Sequence, residues 1–328
     1  MRILIPIIAI AFLFQGNVYA QLPNEKFQIE FTKYTVSSTA CTRIVHSSGS
    51  IILIPENAFA LDPKSEVDSV DVYYRVLLTP LDIISHGIPM DYAILNKKVQ
   101  FESNGMFEIW AKSNEDPINI HEDKSIEVRL AMSDLQASKR MEGYLLDPST
   151  KKWKSYTNRI RNNRIDNTDD DLWGSSPVQN EEFLEEEGGD VMWAQQDSIR
   201  RVAFQAMEIF DFGLYNYDKI IDDEIFISVE ANFVNQSNQE ALKSTIYIVY
   251  DDLNSVFYFP PYTWAEDFSI IQNKSYKLFS IDTEGNIYRL KDFPEIKGLS
   301  NQAVSFQLQK EGIAPQNRQE LSKLTGLQ

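Results

Sequence analysis

Apolar and polar residues alternate with a period of two along most of this chain, the spacing that puts successive side chains on opposite faces of an extended strand. In VDVYYRVLL (Val70–Leu78), Val70, Val72, Tyr74, Val76 and Leu78 share one face, and Asp71 and Arg75 take the other. The same rhythm runs through Gly105–Ala111, where Phe107, Ile109 and Ala111 oppose Met106, Glu108 and Trp110, and through Ile126–Leu130. Tyr144–Trp153 predicts two strand ends around a turn begun by Asp147-Pro148. Only Thr79–Gly87 predicts a helix in this half, with Thr79 as the cap, Pro80 in the first turn and Gly87 at the stop. Met192–Ile209 reads both ways: its Ala, Gln and Arg content allows a helix, while Arg201–Ala206 alternates like a strand.

From Glu224 the strand pattern returns, with Ile225, Ile227, Val229, Ala231 and Phe233 on one face. Ser244–Tyr250, Ser255–Phe259, Tyr276–Ile281, Asn286–Lys291 and Ala303–Leu308 continue it, and Asp282–Asn286 has hairpin-turn chemistry. The last stretch, Gln316–Gln328, has helical composition. Many short strands and few helices predict an all-β fold of two antiparallel β-sandwich-like domains.

Charge divides the chain. Asp166–Asp190 carries ten acidic residues and no Lys or Arg, so more than half of the formal net charge of −17 lies there. With its Gly-Ser-Ser-Pro and Gly-Gly breaks, this segment reads as a flexible acidic linker over 161–190. It separates a first sandwich domain (21–160) from a second β-rich domain (191–328) that ends in a short helix. So acidic a chain lacks the positive potential that nucleic acid or an anionic membrane surface requires. Residues 1–20 read as an export signal: Arg2, the apolar run Ile3–Phe14, then Val18 and Ala20 at the −3 and −1 positions of a cleavage site. The mature chain is expected to begin at Gln21, without a transmembrane segment, in a bacterial periplasm or on the cell surface. Cys41 is the single cysteine, which leaves no internal disulfide; it is expected to be a buried or half-buried packing residue.

GSIILIPENAF (Gly49–Phe59) joins a glycine, four aliphatic residues, a proline and a compact turn. Pro55 lacks an N–H and so ends strand pairing, and Ala58 is small enough to tuck beneath the sheet. This stretch resembles the start of a ZU5-type β-sandwich. Ser85–Lys112, with its Ile-Pro-Met and Gly-Met-Phe-Glu pieces, is similar to a module of large uncharacterised envelope proteins of Bacteroidota. The resemblance implies scaffolding and interaction and carries no catalytic residues with it; it does not extend to residues 190–328.

No motif for nucleophilic, metal or phosphate chemistry stands out. His46, His86 and His121 are not at metal-ligand spacings, and there is no Gly-x-Ser-x-Gly or Gly-rich phosphate loop. His86 is the most notable of the three because it follows the predicted helix. No cofactor is expected. Calcium is the one cation the acids suggest, through Asp222-Asp223-Glu224 or Asp251-Asp252 with Asn254, although neither matches a spaced calcium loop. The aromatic run Asn254–Phe268 supplies the candidate binding residues Tyr258, Tyr262 and Trp264, since Tyr and Trp on loops suit stacking on sugars or docking of proteins. The expected role is a non-enzymatic envelope protein that binds a protein or glycan partner. The alternatives are an envelope hydrolase with a carboxylate site in the second domain, and a calcium-dependent adhesin.

Overall fold

The computed structural model describes residues 25–62, 67–94, 97–132, 141–156, 160–163, 203–222, 224–264, 267–296 and 302–327. The expected export signal and residues 164–202, which hold most of the expected linker, lie outside them. Strands dominate, in three sheets, and strands are numbered in chain order. The first sheet runs β1 (Thr32–Ser37), β4 (Ser69–Leu77), β6 (Lys97–Ser113), β13 (Gly213–Ile220), β9 (Glu142–Leu146), β10 (Trp153–Ser155), with β5 (Asp91–Ile94) and β7 (Asp116–Pro117) also on β6. The second runs β11 (Ile160–Asn163), β12 (Ala203–Ile209), β8 (Ile126–Met132), β3 (Ile51–Ile54), β2 (Thr42–Val45). The third runs β16 (Phe257–Phe259), β15 (Ile246–Tyr250), β18 (Tyr276–Ile281), β19 (Ile287–Leu290), β20 (Gln302–Glu311), β14 (Phe226–Asn235), β17 (Ser269–Ile271). Pairing is antiparallel throughout, apart from the parallel pair β14–β20. The described helices are short: α1 (Pro80–His86) and α2 (Arg318–Thr325), besides two single 3-10 turns. No helix among the described residues is long and apolar enough to cross a membrane.

Three apolar cores follow from the alternation. The first lies between the first two sheets, where Tyr34, Val72, Tyr74, Phe107 and Tyr215 meet Ile52, Ile54, Val128 and Leu130. The opposite face of the first sheet supplies Phe101, Met106, Tyr144 and Trp153 to a middle core, against Tyr247, Val249, Tyr258 and Phe279 of the third sheet. The other face of the third sheet encloses Phe233, Ile248, Phe257, Leu278 and Phe306. All five residues of β15 are therefore buried: Tyr247 and Val249 on one side, Ile246, Ile248 and Tyr250 on the other. An unbroken apolar run is what a strand covered on both faces requires.

The predicted helix forms with the expected caps. The Thr79 hydroxyl accepts from the Asp82 N–H at 3.3 Å, and the Asp82 carboxylate accepts from the N–H groups of Leu78 and Thr79, each at 2.8 Å. Gly87 ends the helix at φ 62°, the left-handed conformation that glycine adopts at least cost. Ile52, Ile54 and Ala58 all reach the first core, so the turn after Pro55 does tuck beneath the sheet.

The halves divide elsewhere than expected. β12 and β13 follow the acidic segment, yet β12 pairs with β8 and β13 lies between β6 and β9. Residues 203–220 thus complete the first sandwich, and Ala203–Ile209 takes the strand option of the ambiguous stretch. The expected linker also began too early, because Arg161–Asn163 belong to β11. That strand pairs antiparallel with β12, Ile160 opposite Met207 and Asn163 opposite Phe204. The acidic segment leaves and returns to neighbouring strands of one sheet, and the passage between halves falls at residues 221–225, after β13.

Polar groups seal the contact between the halves. The turn after β15 presents Asn254, whose carbonyl accepts from the Ser103 N–H at 2.9 Å and whose side-chain amide donates to the carbonyls of Leu78 and Ser103, both at 3.0 Å. The Tyr258 hydroxyl donates to the Ile88 carbonyl at 2.9 Å. From α2, Arg318 pairs with the buried Asp82 and donates to Ser85 Oγ at 3.0 Å. Beside Ser103 lies Asp218, fully buried on β13, hydrogen-bonded through Asn216 and with its other carboxylate oxygen unpartnered. Burial pushes this carboxyl well above its ordinary value of 3.8, with Glu102 nearby adding to the rise.

Two outcomes follow from this packing. Heat unfolding of the whole chain should be one cooperative transition, with calorimetric and van't Hoff enthalpies in agreement, and a fragment ending at residue 200 should fail to fold for want of β12 and β13. Because the folded-state value of Asp218 is raised, its contribution is full below about pH 3.8 and is lost as pH rises. Asp218→Asn should therefore be more stable than wild type at pH 7 and lose that advantage at pH 3.5, as read by denaturant midpoints.

Candidate functional site

The structure scatters the three aromatic residues expected to form a binding surface. Tyr258 is 8% exposed and belongs to the middle core, its hydroxyl held by Ile88. Trp264 is also 8% exposed: its ring stands edge-on to Phe233 at 4.8 Å and its Nε1 donates to the Phe259 carbonyl at 2.9 Å. Tyr262 alone faces solvent, 78% exposed on the Pro261–Thr263 turn. The physical reason is the period of two along β16, which aims Tyr258 at the middle core and Phe257 and Phe259 at the outer one, followed by a turn at Pro260-Pro261 that folds Trp264 back over Phe233.

Three of the acids considered for calcium, Glu224, Asp251 and Asp252, are tied to lysines. Lys274 reaches Glu224 at 3.0 Å and Asp252 at 2.5 Å, and Lys277 pairs with Asp251. The Asp252 contact raises the affinity of Lys274 for its proton, with Glu224 adding to it. Asn254 is occupied at the contact between halves, and Asp223 lies outside the described residues. Among the described residues no three His, Cys, Asp or Glu side chains gather as a metal-binding set.

Each histidine is accounted for by local structure. His86 is the last residue of α1 and is half-buried. Its Nδ1 lies 2.7 Å from the Asp82 carbonyl and its Nε2 accepts the Ile29 N–H at 3.2 Å, which fixes a neutral ring protonated on Nδ1. Burial first, then the nearby Arg75, lowers its proton affinity. His46 sits edge-on to Tyr74 at 5.0 Å and is lowered by burial. His121 is exposed and its Nδ1 accepts the Asp123 N–H at 3.3 Å. Cys41 is exposed, contrary to expectation, because it occupies the turn between β1 and β2 where no sheet covers it.

A groove of about 560 Å³ opens on the third sheet. Its floor is Ile227, Ile270 and Ile271, buried ends of β14 and β17. One wall is the turn Gln272–Ser275, which Asn273 enters at φ 61°, a left-handed conformation that Asn tolerates better than most residues. The other wall is Phe293, Pro294 and Ile296, after β19. Tyr276 and Phe293 meet edge to face, ring centroids 5.0 Å apart, and Phe293 is 52% exposed. Burial pushes the Tyr276 phenol up to about 12, so it remains a neutral hydroxyl over the physiological range. The side chains of Gln272, Asn273 and Ser275 make no hydrogen bond within the described residues. Sequence reasoning missed this site; its one signal was an aromatic residue, Phe293, in the polar run Lys291–Glu295.

No family model and no curated protein matches this chain.

The two lowered histidines make a pH test. A histidine held neutral contributes stability that is complete above its ordinary value of 6.5 and is lost as pH falls below it. Between pH 7.5 and pH 5.5 the wild type should lose stability relative to His86→Gln, as read by the difference of their unfolding free energies from urea titrations at each pH.

Proposed function

We propose that this chain is an exported, non-enzymatic binding protein of a bacterial cell envelope, which holds a protein or glycan partner in a scaffolding or adhesive role. The open groove carries the reading: a half-exposed phenylalanine braced by a tyrosine, beside unpartnered amide and hydroxyl side chains, is surface chemistry suited to recognition. The export pattern of residues 1–20 and the single cysteine support the location. The ZU5-like reading of the first sandwich is supported by Ile51–Ile54 ending at Pro55, with Ala58 tucked against the core. Its place in this role is to present the second half, because the middle core fastens the two together.

Crosslinking in intact envelopes, followed by fractionation, tests the reading. A discrete adduct in the periplasmic or outer-membrane fraction is expected, reduced severalfold by Phe293→Ala. A chain retained in the cytoplasm, or an adduct indifferent to Phe293→Ala, would remove it.

A further inference from the structure

We infer that the groove beside Phe293 is a site for a short neutral oligosaccharide, an inference that rests on the binding role proposed above. Its volume of about 560 Å³ is of the size that encloses a small ligand. One wall offers a planar face: Phe293 is half exposed and held edge-on by Tyr276, so the ring is already positioned before any ligand arrives. The C–H face of a pyranose packs on such a ring, while its hydroxyls need partners around the rim. Those partners stand opposite, in the side chains of Gln272, Asn273 and Ser275, which together offer two amides and a hydroxyl able to donate and accept.

The charges at the groove select against an ionised ligand. Lys274 is shared between Glu224 and Asp252, and Lys277 is taken by Asp251. Within this set of pairs three carboxylates face two ammonium groups, and both of the described lysines in it are already engaged. An anionic sugar would meet that excess and would have to break an existing pair.

The backbone selects against an extended peptide. One edge of β17 is paired to β14 from Phe226↔Ile271 to Ser228↔Ser269. On the same strand the Ile271 N–H donates to the Tyr250 hydroxyl at 2.7 Å, and the next N–H, of Gln272, donates to the Ile225 carbonyl at 2.9 Å. A peptide has little main chain here on which to build a ladder, which is how added strands gain affinity. A ligand recognised through a ring face and side-chain hydrogen bonds fits what remains.

The experiment uses the mature chain from Gln21 and a defined panel: maltotriose, cellotriose, mannotriose and chitotriose as neutral probes, with trigalacturonate and sialyllactose as acidic ones. Titration calorimetry should give saturable binding to at least one neutral trisaccharide, changing little between 50 mM and 500 mM salt. Phe293→Ala should weaken it about tenfold, and Gln272→Ala with Ser275→Ala should weaken it without lowering the melting temperature. Trp110→Ala, a half-exposed aromatic on the first sheet, should leave it unchanged. Binding of the acidic probes alone, binding indifferent to Phe293→Ala in a folded variant, or no binding to any neutral probe would overturn the inference. If the trisaccharides fail while the envelope adduct still depends on Phe293, the ligand class is wrong and the binding role survives; if both fail, both are wrong.

Discussion

The middle core is the constraint on which this molecule depends. A sheet that packs on one face can remain an independent sandwich, but the first sheet here is apolar on both. Phe101, Met106, Tyr144 and Trp153 would face water if the second half were removed, and Tyr247, Tyr258 and Phe279 would face it in return. Burying side chains of this size is worth roughly 1.5–3 kcal/mol each, which exceeds what most proteins retain as net stability once several are counted. The halves are therefore parts of one folding unit despite an evident change of sheet between them.

Polar contacts give that apolar contact a single register. Asn254 fills the carbonyl and amide positions of Ser103 as a neighbouring strand would, so the two halves meet through backbone-like hydrogen bonds at β6. Asp82 serves two masters: one carboxylate oxygen closes the cap of α1 and the other pairs with Arg318 of α2. Leaving either partner alone in the buried contact would expose the cost of an unpaired charge. The start and the end of the described chain are bound together here, since Arg318 also donates to the Phe27 carbonyl and Lys26 to the Pro315 carbonyl.

Local chemistry was legible in the sequence and long-range pairing was not. The alternation from Val70 to Val76, the cap of Thr79, the stop at Gly87 and the turn at Asp147 each need only neighbouring residues, and each appears where expected; Leu78, expected on the same face, lies past the end of β4 and is exposed, while Leu77 turns into the middle core. The membership of β13 needed knowledge that Tyr215 would lie beside both Phe107 and Leu145, residues far apart in the chain. A polar, acidic stretch reads the same whether it joins two domains or loops out of one sheet, so composition could not place the boundary. The aromatic run misled for a related reason: the period of two told which side chains alternate, but not that both sides of β15 and β16 would be covered. Phe293 was overlooked because it belongs to no periodic segment, and the groove it borders exists only after β17, β18 and the segment beyond β19 have come together.

The hairpin spacing between Asn163 and Phe204 carries a consequence for how this protein can vary. Chain added between two positions fastened a strand's width apart carries a closure cost that grows only with the logarithm of the length joining them. Doubling it costs roughly 0.6 kcal/mol. That position is therefore a port in the sandwich wall where whole segments can be lengthened, shortened or exchanged over generations while the three sheets keep their arrangement.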